Sequence, residues 1–394
     1  MAKSVLISGA SIAGPTLAYW LDRHGFDVTV VEKAATVRGG GYPIDVRGTA
    51  IEVVHRMGLL PQLRDRHVAT GRISFLDAAG APVGAVDSDT ATGSVTGRDV
   101  EIRRGELTEL LYGAVRDRVE FRFSDAIASL DDRRGGVEVS FRSGLQRTFD
   151  LVLGADGLHS GTRALVFGPE EQFHRYLGYC FAGFTMPNFL GLSHEAVVWN
   201  VPGRSAILFS TGERDSVHGF LNFALAEAPP LHAFADPAAQ RDLVAARFAG
   251  AGWQVPRMVE AMRSADDLFF DVVSQIHLPV WSKGRVALVG DAAYAPSFFS
   301  GQGSSIALVG AYLLARQLSG LDHPDAFAAW ENETREYVAC NQALAAAGPL
   351  LLSPRTDEEL AARNTALQTA GEVSGADLRA ATSMLVLPPE PAGI

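Results

Sequence analysis

The chain has 394 residues, 47% of them hydrophobic and 20% charged, with 34 basic residues against 45 acidic ones and a formal net charge of −11. At about 150 residues per domain this length suits two or three domains with a sizeable core, and the composition excludes a disordered chain. The acidic balance argues against nucleic acid as the main partner, and no apolar run reaches the ~18 residues of a membrane span.

Ser4 to Ser8 reads as a short strand and Ile12 to His24 as a helix, with Leu17, Ala18, Trp20 and Leu21 at helical spacing and Gly25 as its stop. Asp27 to Glu32 is a second strand, so the chain opens β-α-β. A glycine-rich loop (Gly39, Gly40, Gly41) leads to a helix from about Gly48 to Met57. Residues 73–97 carry strand-like pieces without a strong helix, and Arg104 to Arg116 is helical with Leu107, Leu110 and Leu111 on one side. Phe121 to Ile127, Val137 to Arg142 and Phe149 to Leu153 read as strands, with a hairpin turn at Arg133-Arg134-Gly135-Gly136. From Phe181 to about Phe223 the texture is antiparallel: Glu195 to Val201 and Ser205 to Thr211 flank Pro202-Gly203-Arg204, and His218 to Leu225 follows. Helical segments occupy roughly 236–263, Arg285 to Val289 is a buried strand, and 303–319 and 325–347 are helices. The tail 384–394, with Pro388, Pro389 and Pro391, reads as loosely held. The whole predicts an α/β fold whose sequence is interrupted by an antiparallel sheet domain. Cys180 and Cys340 form no CxxC, so neither a disulfide framework nor a metal site is expected. Met1-Ala2-Lys3 runs directly into the first strand, which with the unpaired thiols predicts a cytoplasmic protein.

Gly9-Ala10-Ser11-Ile12-Ala13-Gly14 sits between the first strand and helix, where a dinucleotide fingerprint belongs. Gly9 permits the tight turn, Gly14 lets helix and strand pack closely, and the helix start offers N–H groups to a pyrophosphate. Ser11 replaces the middle glycine of GxGxxG but still allows close approach. Glu32, with Lys33 after it, ends the second strand where a carboxylate can bind a ribose diol. Two later segments follow strands: Gly154-Ala155-Asp156-Gly157-Leu158-His159-Ser160-Gly161-Thr162-Arg163, and Gly290-Asp291-Ala292-Ala293-Tyr294-Ala295-Pro296 leading to Gly301-Gln302-Gly303. Asp291 can bind a ribityl hydroxyl, and the helix starting at Gly303-Ser304 can turn its positive end to a flavin pyrimidine edge.

The three segments in this order resemble the class A FAD-dependent aromatic hydroxylase family, the single-component flavin monooxygenases. Its patterns are a dinucleotide turn ending in Glu, GADGxxSxxR, and GDAAHxxxPxxGQG. The second is matched in full; in the third Tyr294 replaces the commoner His and the prolines are rearranged. The resemblance covers about residues 1–345. It implies that Arg47 lies near flavin and phosphates, that Arg104 contacts the cofactor, and that Asp156 lies near the pyrophosphate. It also implies that Pro296, Gly301 and Gly303 line the flavin face. The implied architecture is a Rossmann-like FAD domain (1–72, 98–170 and 276–324), an inserted substrate-binding sheet domain (73–97 and 171–275), and a C-terminal bridging helix with tail (325–394). The implied chemistry is reduction of FAD by NAD(P)H, NADPH favoured by resemblance, then O2 addition at the flavin C4a and transfer of one oxygen atom to the substrate. No second dinucleotide turn is present for the nicotinamide.

The substrate is expected between the sheet and the flavin, where Phe181, Phe184, Trp199, Phe209, Phe220 and Phe223 face Phe298 and Phe299. Such a pocket suits an aromatic, polycyclic or polyketide-like molecule. By strand period His218, Phe220 and Asn222 share one face; with Phe209 and Phe298 they are the candidate substrate residues. The family includes tetracycline-modifying and polyketide-tailoring hydroxylases, which implies a monomer or weak homodimer with neither nucleic acid nor membrane as partner. Two rival readings are a FAD-binding pathway protein without turnover and a flavin-dependent halogenase; Trp199-Asn200-Val201-Pro202 does not match the WxWxIP motif of the latter. A plain NAD-dependent dehydrogenase would leave the two later segments without a role.

Overall fold

A computed structural model describes residues 2–37, 39, 41–229, 236–369 and 376–389. Its centre is a six-stranded sheet in the order Ser282–Lys283, Val286–Leu288, Leu151–Gly154, Ser4–Ser8, Asp27–Glu32, Glu120–Phe123, parallel except for the two-residue edge. Val5, Leu6 and Ile7 are all fully buried, because both faces of a parallel sheet are covered. Alternation then sorts them. Val5 and Ile7 enter the core made with the helices Ala13–Arg23 and Gly303–Gly320, while Leu6 joins Val137, Val139, Phe141 and Phe149 on the other side.

That second cover is a three-stranded antiparallel sheet, Ile127–Arg133, Gly136–Phe141 and Gln146–Phe149. Phe149 therefore does not continue into the central strand as its apolar neighbours suggest. The chain breaks at Asp150, whose carboxylate accepts from Ser4 N–H at 2.7 Å and Ser4 Oγ at 2.9 Å and so aligns the two layers.

A seven-stranded sheet forms the other half, in the order Phe269–Ile276, His174–Pro187, Ser216–Ala224, Arg204–Phe209, Glu195–Val201, Arg72–Leu76, Pro82–Asp87. The helices Pro237–Arg247 and Val255–Ser264 cover its far face through Val244, Met258 and Met262. The helix His323–Ala343 packs on Gly303–Gly320, with Trp330 Nε1 donating to the Gly310 carbonyl at 2.9 Å.

Three helices after residue 347 escape a periodicity reading: Gly348–Leu352, Asp357–Thr369 and Ala376–Ser383. They are short or weakly amphipathic and gain stability from docking. Nor are residues 384–389 of the tail loose. Thr49 Oγ1 donates to the Leu385 carbonyl at 2.5 Å and Arg56 Nη1 to the Pro388 carbonyl at 2.7 Å, and Leu387 is buried; residues 390–394 lie outside the described residues. No helix among the described residues is long and apolar enough to cross a membrane.

Candidate active site

Three backbone segments meet at the first glycine turn. Gly9 has φ +106° and lies against Ala155 and Asp156, and a Cβ on Gly14 would collide with the Gly9 carbonyl. The helix Ala13–Arg23 starts at Ile12 without a side-chain cap, so its first N–H groups are left for a ligand. Glu32 is pinned beside the turn: Oε2 accepts from Ala10 N–H and Oε1 from Ala34 N–H, each at 2.9 Å. Each carboxylate oxygen keeps acceptor capacity for a diol. Lys33 is exposed at the strand end. Ser11 Oγ accepts from Arg104 Nη2 at 2.9 Å, so the residue in place of glycine is tied to the arginine expected at the cofactor.

The second segment is a structural lock. Asp156 braces the start of the helix Gly161–Val166, whose N-cap is Ser160: its Oδ1 accepts from Ser160 Oγ at 2.5 Å and its Oδ2 from Thr162 N–H and Oγ1, both at 2.9 Å. Arg163 is fully buried and donates to Leu158 O at 2.6 Å, Ala292 O at 2.9 Å and Glu170 Oε2 at 2.7 Å. It thereby fastens this segment to the third one. His159 bridges Asp271 (3.1 Å) and Glu170 (2.8 Å), and these hydrogen bonds push its imidazole up to about 10 against the opposing effect of burial.

In the third segment, Gly290 has φ +66° and a Cβ there would lie 3.2 Å from Ala13 Cβ, which keeps the first and third segments together. Asp291 stands near the start of the helix Gly303–Gly320: a Cβ on Gly303 would be 3.8 Å from its Oδ1. Burial pushes the Asp291 carboxyl up, and the charge of Arg104 pulls it back. Arg47 is almost fully buried; its Nη1 donates to Thr92 O at 2.5 Å, it pairs with Asp45, and its Nε has no partner among the described residues. Pro296 O accepts from Gln275 Nε2 at 3.0 Å, and the following loop is held by Ser297 at φ +95° and Gly301 at φ +64°. Gln302 is fully buried with neither amide atom partnered among the described residues, and the helix after it begins without a side-chain cap; Ser304 stands in its first turn. Two uncapped helix starts, Glu32, Asp291 and the Arg104 guanidinium form the donor and acceptor set that a diphosphate flanked by ribose and ribityl hydroxyls requires, so these residues fit FAD.

Tyr294 takes no part in the cleft. It is 1% exposed, packs on Trp281 at 4.5 Å and Trp330 at 6.4 Å, and its hydroxyl would collide with a Cβ on Gly310. The departure from His lies in the core behind the motif.

Strand registers define the opposing wall. One row crosses the sheet through Phe75, Val198, Ile207 and Phe220; the next pairs Phe209 with His218; a third runs Asn200, Ser205, Asn222, Phe181, Asp271. Phe181 stacks on Phe298 at 4.5 Å, and Phe220 lies 5.5 Å from Tyr42 and 6.4 Å from Phe298. Phe184, Trp199 and Phe223, expected at the same pocket, are on the far face under the two helices, because each is one strand position out of phase. Phe299 packs on Tyr179 at 5.0 Å. Asn222 is fully enclosed: its Nδ2 donates to Ser205 Oγ at 3.2 Å, which meets Ser353 Oγ at 2.6 Å. Sequence reasoning missed Tyr42 and the Leu351–Ser353 cover, neither of which carries a local motif.

Fold and site together define a FAD-binding oxidoreductase of Rossmann type. The family model of the FAD binding domain matches residues 2–186. An uncharacterized protein of Mycobacterium tuberculosis is 44% identical over 86% of this chain and 92% of its own length. A flavin-dependent monooxygenase from an unknown prokaryotic organism is 38% identical over 86% of this chain and 88% of its own. The crystal structure of the tetracycline destructase Tet(55) superposes with a TM-score of 0.85 and 34% identity, covering 99% of both chains. The chain belongs to the class A FAD-dependent aromatic hydroxylase family, the single-component flavin monooxygenases.

Proposed function

We propose that this protein draws electrons from NAD(P)H, NADPH by family resemblance, and inserts one atom of O2 into a polycyclic phenol or enol of polyketide type. The observation that carries the reading is the aromatic enclosure of Phe181, Phe220, Phe298 and Tyr42 between the sheet and the third cofactor segment. Bound FAD supplies the electron storage and O2 activation. The chain would hold it with Glu32 at the ribose, the first-turn N–H groups, Ser11 and Arg104 at the diphosphate, Asp291 at the ribityl chain, and Gly303 and Ser304 at the pyrimidine edge. The aromatic side chains would keep water from the reacting face and offer a flat slot to a fused-ring substrate. Phe209, His218, Phe220 and Phe298 would line that slot, with Asn222 enclosed behind it. Similarity to Tet(55) makes tetracycline the first compound to try.

The test is the visible spectrum of the purified protein with added FAD, followed by NADPH oxidation with and without tetracycline and a panel of polycyclic phenols. Flavin bands with oxidation stimulated by a panel member support the reading. Bound flavin with no stimulation by any compound would favour a binding role without turnover, and failure to bind FAD would overturn the cofactor assignment.

A further inference from the structure

The loop that leads from Tyr294 into the helix Gly303–Gly320 is held at its start by two glutamine amides from outside the three cofactor segments. Gln275, buried near the end of the strand Phe269–Ile276, donates from Nε2 to the Pro296 carbonyl at 3.0 Å and to the Gln342 carbonyl at 2.7 Å. Its Oε1 accepts from His277 Nε2 at 2.9 Å, which fixes the orientation of the amide. Gln342, near the end of the helix His323–Ala343, donates from Nε2 to Ile276 O at 2.9 Å and to Tyr294 O and Ala295 O, both at 3.3 Å. The Ala295 carbonyl also accepts from Ile276 N–H at 3.2 Å. Three successive loop carbonyls are thus tied to the sheet and to the helix.

Ser297, next in the chain, has φ +95° and ψ 151°, a conformation open to glycine and costly for any residue with a Cβ. These angles are rotations between the two peptide planes that flank the residue, and both planes are pinned. Gln275 holds the Pro296 carbonyl, while the Ser297 carbonyl accepts from Ser300 N–H at 3.2 Å and Ser300 Oγ at 2.8 Å. The strained angles follow, and they set the course of the next residue. Phe298 leaves the turn with its ring 4.5 Å from Phe181, 17° between the planes, and 6.4 Å from Tyr42. Release of the Pro296 carbonyl would let Ser297 rotate to a negative φ and carry Phe298 off Phe181. Glutamine suits position 275 because its amide nitrogen serves two carbonyls while its oxygen takes an imidazole N–H.

We propose that Gln275, with Gln342 beside it, is a positioning residue that holds Ser297 in its strained turn and so keeps Phe298 against Phe181. Closure of the aromatic slot, rather than FAD binding, depends on it. The consequence for turnover rests on the monooxygenase reading above: an open slot admits water to the reacting face. NADPH, O2 and a proton then give NADP+ and hydrogen peroxide in place of oxygenated product.

The test compares FAD-loaded wild-type protein with Gln275→Met, Ser297→Gly and the double variant. Gln275→Met should bind FAD within severalfold of wild-type, but amide hydrogen exchange over residues 297–302 should quicken about tenfold or more. With tetracycline or another stimulating panel member, the hydrogen peroxide formed per NADPH should rise at least about threefold. Adding Ser297→Gly should return both readings toward wild-type, because glycine holds φ +95° without being forced. Damage unrelated to the turn would not be repaired by a glycine there. If Gln275→Met does not fold, Gln275→Asn, whose amide is one methylene short of both carbonyls, makes the same comparison. Wild-type exchange in the position-275 variant, or a double variant that exchanges as fast as the single one, overturns the assignment. A wild-type holoprotein that oxidises NADPH with no panel member overturns the monooxygenase reading, while the exchange comparison still decides the turn.

Discussion

The guanidinium of Arg104 donates from Nη2 to the hydroxyl of Ser11 at 2.9 Å, joining the start of one helix to the glycine turn that precedes another. The bond turns a departure from the usual glycine into a support for the residue that carries the charge. Removing the serine hydroxyl costs one neutral acceptor, whereas removing the guanidinium costs the cation proposed to face the diphosphate. Arg104→Ala should weaken FAD binding at least about tenfold, a loss of ~1.4 kcal/mol or more, while Ser11→Gly stays within severalfold of wild-type. Titration of FAD by quenching of its fluorescence checks this; equal losses in both variants would show that the hydroxyl, not the charge, dominates.

Tyr294 and Gly310 make a size-matched pair in the core. Tyr294→Phe deletes a buried hydroxyl that lacks a partner among the described residues, so stability should hold or rise, and FAD affinity should not change. Gly310→Ala should cost about 1–3 kcal/mol by overpacking, and much of that cost should vanish when Tyr294→Phe is added. Thermal unfolding of the four proteins of this cycle measures the coupling. Independent effects would mean that the neighbouring backbone relaxes instead.

His159 sets a pH window. Its pKa is raised from 6.5 to about 10 in the folded protein, so the folded state binds a proton there more tightly than the unfolded chain. The stabilisation is fully present below pH 6.5 and is lost as pH rises from there through about 10. The melting temperature of wild-type protein should therefore decline over that interval more steeply than that of His159→Gln, which should melt lower at pH 6 and approach wild-type near pH 10. Parallel melting curves across the interval would contradict the assignment.

Among the described residues, Arg363 is a buried cation held only by neutral groups. It is 7% exposed, lies over the Phe75 ring at 4.5 Å, and donates to Leu351 O, Asn200 Oδ1 and Asn364 Oδ1, each at 2.9 Å; burial lowers its pKa to about 10. Replacement by Met leaves the Asn200 and Leu351 acceptors stranded and should cost about 2 kcal/mol in urea unfolding. Lys should not restore the loss, since one ammonium on a flexible stem does not span three acceptors in a fixed plane. Full rescue by Lys would show that charge alone matters at this position.

The cofactor half of the site was legible because it is local. Gly9, Gly14 and Gly290 are demanded by backbone approach within a few residues of a strand end, and Glu32, Asp156 and Asp291 close those same strands or turns. The aromatic wall proposed for the substrate was legible only by face. Alternation correctly placed His218, Phe220 and Asn222 together, but it did not say which face meets Phe298, and Phe184, Trp199 and Phe223 fell on the other one. The last helices left no trace in periodicity, since their stability comes from contacts such as Ser353 on Ser205 and Arg363 on Asn200, over 140 residues apart.

By itself, then, the sequence determined the three strand-ending segments, their order and the cofactor they suit, because each depends on glycine geometry and a carboxylate within one turn of chain. Tertiary structure alone decided which aromatic face closes the cleft, that Tyr294 is a core residue, and that His159 is set between Glu170 and Asp271. These depend on which strands pair and which distant charges arrive beside them, and an imidazole's proton follows its neighbours in space rather than in sequence.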